Sequence, residues 1–476
     1  MNSRGLIGEA DSAGTGLLPE AAQRDRNTSL ATRQPVATAR LCVLLLIAMM
    51  PFWNTDIVDS GIFGVDALRL ANIVPLVTFL VVCLNAPNLF RLSDRMERLA
   101  TTAFLTYLLV FSVAFFRSLS NMGRFHAISP DFSANLRTYV DTYFIVRVLI
   151  ALQFYYVLKL FRTAEDLAQL FSALGASIFV LSCAVLVAVF ADPSVLSVPG
   201  RYGISELTEN VLGMHYNDAS APYIILAPLL IYLALKRAGF WGVNYLLALA
   251  AVVCLESRTT LFLFAGMSGA TLIVMGRAKT LVAAAPALAV ISLIGLGPVV
   301  IGLVEKGFTH QSGFSLTYFL SGRDQLIWLP LVLEWWSDPY RLWFGAGEFG
   351  VLTSNMLVTG KMYDVGQAHN AYLEFFLDNG IVLLGAFILA LVIFFRWAIR
   401  TGLRIRNQLY WALLLCIISF LIACFTGRRF FPHPENMFVF PVLAALINVV
   451  RIKSVASART GLRADRRPSA RPQLTE

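Results

Sequence analysis

Apolar and polar positions along this chain fall into long blocks. Apolar runs of 14 to 24 residues recur, separated by short polar or basic breaks. A helix needs roughly 20 apolar residues to cross a bilayer. The pattern predicts an all-α polytopic membrane protein of about twelve spans, at 39–52, 70–84, 102–117, 139–158, 170–190, 221–236, 243–256, 259–275, 281–304, 379–397, 409–425 and 437–450. Several runs are shorter than a perpendicular crossing requires, so some helices must extend into their polar flanks. The membrane domain covers 39–450, and its longest polar interruption is 305–378, between spans nine and ten. Residues 1–38 and 451–476 lack apolar periodicity and read as disordered tails, the second strongly basic.

Composition agrees with the pattern. The 476 residues are 57% hydrophobic and 14% charged, with mean hydropathy +0.69. That excludes an ordinary soluble domain, which carries about 25% charged residues. The first apolar run reads as a spanning helix rather than a cleaved signal, since no small-residue cleavage site follows it. All six cysteines lie in apolar runs without metal-ligand spacing, and read as small core hydrophobes.

Charge then orients the spans. With both tails on one side, that side holds 25 of the 38 Lys and Arg and 10 of the 29 Asp and Glu. Its net charge is +15 against −6 for the rest. The bias places both termini in the cytoplasm, and an even number of spans preserves it. The outer loops are then 53–69, 118–138, 191–220, 305–378 and 426–436, with a tight turn at 257–258. All five histidines, His126, His215, His310, His369 and His433, fall on the outer side.

Candidate chemistry gathers there. His369-Asn370-Ala371-Tyr372-Leu373-Glu374 ends the long outer loop, shortly before Gly380 opens the apolar run Ile381–Phe395. Free N–H groups at a helix start disfavour a protonated imidazole. A neutral imidazole is able to act as a general base, although His369 also reads as a plain boundary cap. Arg258 stands at a tight turn between two short apolar segments. An arginine there is costly to bury without a partner, which is either Glu256 or an anion arriving from outside. Ser321 reads as the N-cap of a helix running to Trp336. Arg323 in its first turn opposes the helix dipole and asks for an anion, which Asp324 or a ligand supplies. Gly345-Ala346-Gly347-Glu348-Phe349-Gly350 lacks the strand and the Lys of a nucleotide loop, and reads as a site of close backbone approach. Arg147, inside a span, needs a partner from elsewhere or a water-filled cavity. Loop 191–220 adds Arg201, Tyr202 and His215-Tyr216-Asn217-Asp218, and loop 426–436 adds Arg428, Arg429 and His433. No metal-ligand spacing and no basic-aromatic nucleic-acid motif occurs. The acidic group Asp56, Asp59 and Asp66 in the first outer loop offers a rival acid site.

Taken in order, Ser257-Arg258, Ser321-Gly322-Arg323 with Trp328, Gly345-Ala346-Gly347, and His369-Asn370-Ala371-Tyr372-Leu373-Glu374 followed by Gly380 resemble the O-antigen ligase and O-antigen polymerase superfamily. The resemblance covers roughly residues 200–450. It implies a metal-independent inner-membrane glycosyltransferase without a cofactor, its site facing the periplasm. Such enzymes move a glycan from undecaprenyl pyrophosphate to a lipid A core sugar or to the next lipid-linked repeat unit, among membrane lipids and other polysaccharide-assembly proteins. Carried over by residue, His369 resembles the base that deprotonates the acceptor hydroxyl. Arg258 and Arg323 resemble the pyrophosphate-binding arginines, with Arg201 a further candidate and Asn370 and Glu374 in support. The family often shows an Asn-Pro-Asn-like patch where this chain has His215-Tyr216-Asn217-Asp218. Two rivals remain: a transporter of lipid-linked glycan, and a metal-dependent glycosyltransferase using the first-loop aspartates.

Overall fold

The apolar blocks fold as helices. The computed structural model describes residues 36–52, 70–86, 89, 91–92, 94–128, 144–194, 202–212, 216–255, 257–277, 279, 323–358, 368–427, 430–433 and 436–464, and no strand occurs among them. The helices are α1 (Val36–Phe52), α2 (Leu70–Asn85), α3 (Arg95–Ser118), α4 (Met122–Ile128), α5 (Val146–Ala151), α6 (Gln153–Leu160) and α7 (Ala164–Ala191). They continue with α8 (Tyr202–Leu212), α9 (Tyr216–Lys236), α10 (Phe240–Cys254), α11 (Arg258–Val274), α12 (Leu329–Ser337) and α13 (Pro339–Phe344). The last four are α14 (Asn355–Val358), α15 (Ala371–Ile405), α16 (Gln408–Ala423) and α17 (Val439–Ala464).

Among the described residues, four helical stretches are long and apolar enough to cross a membrane: Arg95–Phe125, Ala164–Ala191, Tyr216–Lys236 and Ala371–Ile405. Extension into polar flanks, expected for the short runs, is visible in α7, which starts six residues before the predicted edge at 170, and in α15, which runs from 371 to 405. Other edges differ. The predicted span 139–158 is broken: a π turn at 144–145 leads into α5, and Leu152 separates α5 from α6. α17 continues to Ala464, beyond the predicted edge at 450, because no proline stops it before Pro468. The predicted span 281–304 and the residues 1–35 lie outside the described residues.

Helix association inside an apolar solvent relies on polar side chains meeting stray backbone groups. Pro228 sits inside α9, so the carbonyl of Ile224, four residues earlier, loses its helical donor. Ser419 of α16 donates its hydroxyl to that carbonyl at 2.7 Å. Asn448 of α17 donates to the carbonyls of Val157 and Phe161 at 3.0 and 2.8 Å, fastening α17 to α6. Asn244 of α10 donates to the Gly175 carbonyl of α7 at 2.8 Å.

α15 lies on the outside of this bundle. Val382, Leu389, Val392 and Ile393 are all more than half exposed. An apolar face of that extent suits a lipid boundary. The helix is broken at Gly380, whose φ is +78°. Ion pairs mark one end of the bundle. Arg40 meets Asp166 at 2.5 Å, and Arg451 meets Asp94 at 2.7 Å. Both pairs lie at the end opposite the start of α15.

Candidate functional site

Part of the set singled out by sequence, Trp328, His369, Asn370 and Glu374, meets at the start of α15. Asn370 is the N-cap of α15, and its side-chain oxygen accepts from the Tyr372 and Leu373 N–H groups at 3.1 and 3.2 Å. Such a cap stabilises a helix by about 1 kcal/mol. It also changes one expectation: these two N–H groups are engaged by Asn370 and do not point bare at His369. The Glu374 carboxylate reaches back and accepts from the Ala368 N–H at 2.9 Å. The Trp328 indole N–H donates to the Ala368 carbonyl at 2.7 Å. Ala368 is thus held through both of its backbone polar groups.

His369 follows with φ +53°, in the left-handed region. A side chain bearing a Cβ rarely adopts that conformation, and it persists where surrounding structure enforces it. Here the enforcement comes from Ala368 on one side and the Asn370 cap on the other. The half-buried imidazole lies beside Gly427. A Cβ added at Gly427 would stand 3.6 Å from Nδ1 of His369.

Arg323 begins the helical segment that carries Trp328. A π turn spans Asp324–Trp328, and α12 follows directly. Ile327, Leu331 and Trp335 form its buried stripe at four-residue spacing, while Leu326 and Leu333 face outward. The expected helix to Trp336 is present and ends at Ser337; Ser321 lies outside the described residues. Five residues separate Arg323 from Trp328, roughly 7 Å along a helix axis. The guanidinium of Arg323 is partly buried. Desolvation lowers its pKa from the ordinary arginine value, and the neighbouring Tyr216 phenol works in the opposite direction. Arginine nonetheless stays cationic.

Tyr216 opens α9 and links this segment to the turn at Ser257. Thr260 donates to the Ser220 hydroxyl at 2.8 Å, and Ser220 donates to the Asn217 carbonyl at 2.6 Å. A 2.8 Å bond also joins the Thr260 and Ser257 hydroxyls. These buried hydroxyls tie the first turn of α11, where Arg258 stands, to the first turn of α9. The two-helix reading of 243–275 is correct, with the junction between Cys254 and Arg258. The side chain of Arg258, Glu256, Arg201, His215, Arg428 and Arg429 lie outside the described residues, as do Asp56, Asp59 and Asp66.

The glycine-rich turn allows close backbone approach, as its composition suggested. The N–H groups of Ala346 and Gly347 donate to the carbonyls of Leu377 and Asp378 at 2.8 and 2.9 Å. The Gly350 N–H donates to the Asp378 carboxylate at 2.8 Å. A Cβ at Gly345 would collide with the Asp378 backbone, and one at Gly380 with the Trp343 carbonyl. A Cβ at Gly347 would stand 2.7 Å from the Ser118 nitrogen. Arg117 donates to the carbonyls of Phe344 and Gly345, and Asn121 to that of Ala346. The turn therefore wedges between α3 and the broken part of α15, and braces the helix that His369 precedes.

Arg147 reaches the site only through Glu348, which lines a small cavity with Ala371, Glu374 and Asp378. It forms a buried ion pair with Glu348 from the same turn, each only 3% exposed. Its guanidinium also lies 5.5 Å from the Phe349 ring centre. The partner was invisible in the sequence because 201 residues separate the two. Tyr216 beside Arg323, and Gly427 beside His369, were missed for the same reason. Trp328 stood out only as part of a motif, with no signal of its bond to Ala368. His433 contributes backbone bonds to Asn436, at 2.9 and 3.0 Å, that close the loop before α17. No protein-family model matches the chain and no curated protein matches it, so the geometry and the residues carry the functional argument.

Proposed function

We propose that this chain is a membrane glycosyltransferase of the O-antigen ligase and polymerase type. It moves a glycan from undecaprenyl pyrophosphate to an acceptor sugar hydroxyl at the periplasmic face of the inner membrane. The observation that carries the reading is the Trp328–Ala368 hydrogen bond. It joins the short helical segment headed by Arg323 to Ala368, the residue before the strained His369, so a cation and an imidazole stand on segments braced to each other. The Lys and Arg bias supports cytoplasmic termini and an outward site. About twelve spans, with 305–378 as the large periplasmic loop, complete the topology of this reading.

The chemistry is a single displacement with inversion. The acceptor oxygen forms a bond to the anomeric carbon while the bond from that carbon to the pyrophosphate oxygen breaks. The hydroxyl proton passes to the imidazole of His369. The departing lipid pyrophosphate takes the electron pair, and the guanidinium groups of Arg323 and Arg258 receive its charge. Guanidinium matches phosphate oxygens in a planar two-point contact, and countering charge that develops on a leaving group is a large catalytic term. Arg201 is a further candidate for the same anion. Asn370 and Glu374 act on the position of His369 rather than on substrate.

Purified protein supplied with a lipid-linked donor and acceptor, with chelator present, tests this directly. Transfer under chelation is the expected result. A strict need for divalent metal moves the assignment to Asp56, Asp59 and Asp66. A transporter of lipid-linked glycan would flip the donor without consuming it. In a deletion strain, short unpolymerised units indicate a polymerase, and finished polymer left on its carrier indicates a ligase.

A further inference from the structure

At the end of the bundle opposite His369 lies a groove of about 940 Å³. The first turn of α3, the start of α7, the far part of α15 and α17 form its walls. Its polar side carries Asp94, Arg95, Arg162 and Arg451, and its apolar side Met96, Leu99, Trp397 and Ile452. Beneath the polar side, Glu97 is fully buried and pairs with Lys159, with Arg162 at 3.3 Å and with Arg451 at 3.3 Å. Arg451 also meets Asp94 at 2.7 Å. Four cations, Arg95, Lys159, Arg162 and Arg451, therefore stand against two carboxylates, Asp94 and Glu97. The cluster holds an excess of two positive charges. Arg95 is exposed, and the Arg162 side chain is 40% exposed.

We propose that this groove binds one anionic phospholipid, its phosphate between Arg95 and Arg162 and its acyl chains along Trp397 and the outer face of α15. Three features select that occupant. The charge excess calls for an anion. The volume matches a small-molecule site. Trp397 shares a helix face, at four-residue spacing, with the exposed apolar residues Ile393 and Leu389, which a free anion would leave unused. Tryptophan favours the headgroup level of a bilayer, and basic pockets between spanning helices on the cytoplasmic side recognise anionic headgroups. The proposal rests on membrane insertion of α3 and α15 but not on glycosyl transfer, so a transfer assay and a lipid-binding assay fail independently.

Native mass spectrometry of the full chain released from detergent, with phosphatidylglycerol or phosphatidylcholine added at equal concentration, tests it. The expected result is one retained phosphatidylglycerol and weak, unsaturated phosphatidylcholine adducts. Each basic side chain near an anionic headgroup contributes about a fivefold preference, so R95A/R162A should weaken phosphatidylglycerol on the order of thirtyfold. Arg95→Ala alone, at an exposed position that forms none of the Glu97 ion pairs, should weaken it about fivefold without loss of folded protein. Equal retention of the two lipids overturns the proposal. So does unchanged phosphatidylglycerol binding by Arg95→Ala, or equivalent displacement by millimolar inorganic phosphate, which would make the site one for a free anion.

Discussion

His369 occupies a backbone conformation that most residues avoid, and its neighbours hold it there. A side chain locked by such a frame suits proton transfer, where losing the base costs about 10²- to 10⁴-fold in rate. His369→Ala and His369→Gln should both fall in that range while donor binding persists, because an amide hydrogen-bonds but takes no proton. Substantial turnover by the Gln variant would leave His369 a capping residue. Glu374 offers a finer test, because a Gln oxygen still accepts from the Ala368 N–H. Glu374→Gln should therefore retain most activity, whereas Glu374→Leu should lose about 10- to 100-fold, the scale set by small misplacements of a reacting group. Equal turnover by the two would remove the positioning role. At the anion end, Arg258→Ala and Arg323→Ala should nearly abolish transfer without blocking insertion. Lys should rescue poorly, since a point charge does not replace a planar fork. Polymer profiles from cells expressing each variant decide that outcome.

Between elements, the broken α15 and the glycine-rich turn depend on each other. Gly380 needs positive φ and no side chain, as the nearby Trp343 carbonyl leaves no room. The buried Arg147–Glu348 pair anchors the same turn to α5. Removing one partner of such a pair leaves an uncompensated charge, at about 3–5 kcal/mol. Glu348→Gln should accordingly lower thermal stability in detergent by several degrees. R147M/E348L should recover much of that loss, since apolar replacements of a buried pair are often neutral. A double variant as unstable as the single one would show that the pair contributes more than its own charge balance.

On the scale of the molecule, the described helices put Arg40, Lys159, Arg162 and Arg451 at one end and Arg323 and His369 at the other. The first of these ends is the one that the Lys and Arg bias of the loops expects in the cytoplasm. A single Cys at position 313, on a cysteine-replaced background, should react with an impermeant reagent in intact cells. Labelling only after membrane disruption would invert the proposed topology.

Helix content and the order of the apolar segments follow from the chain alone, because a run of apolar residues states its own preference for lipid. The turn between α10 and α11, the start near Arg323 and the close approach at Gly345–Gly350 were legible too, since turn and cap chemistry is local. Edges were less so. The break at Leu152 and the extension of α17 to Ala464 depend on neighbours and on the absence of a stop signal. The site was legible as a set of residues and not as an arrangement. Only tertiary structure decides that Trp328 meets Ala368, that Tyr216 lies beside Arg323, and that Arg147 is neutralised by Glu348. These contacts join positions 40 to 201 residues apart. Their free energy comes from burying polar groups together, a condition that exists only once the helices have packed.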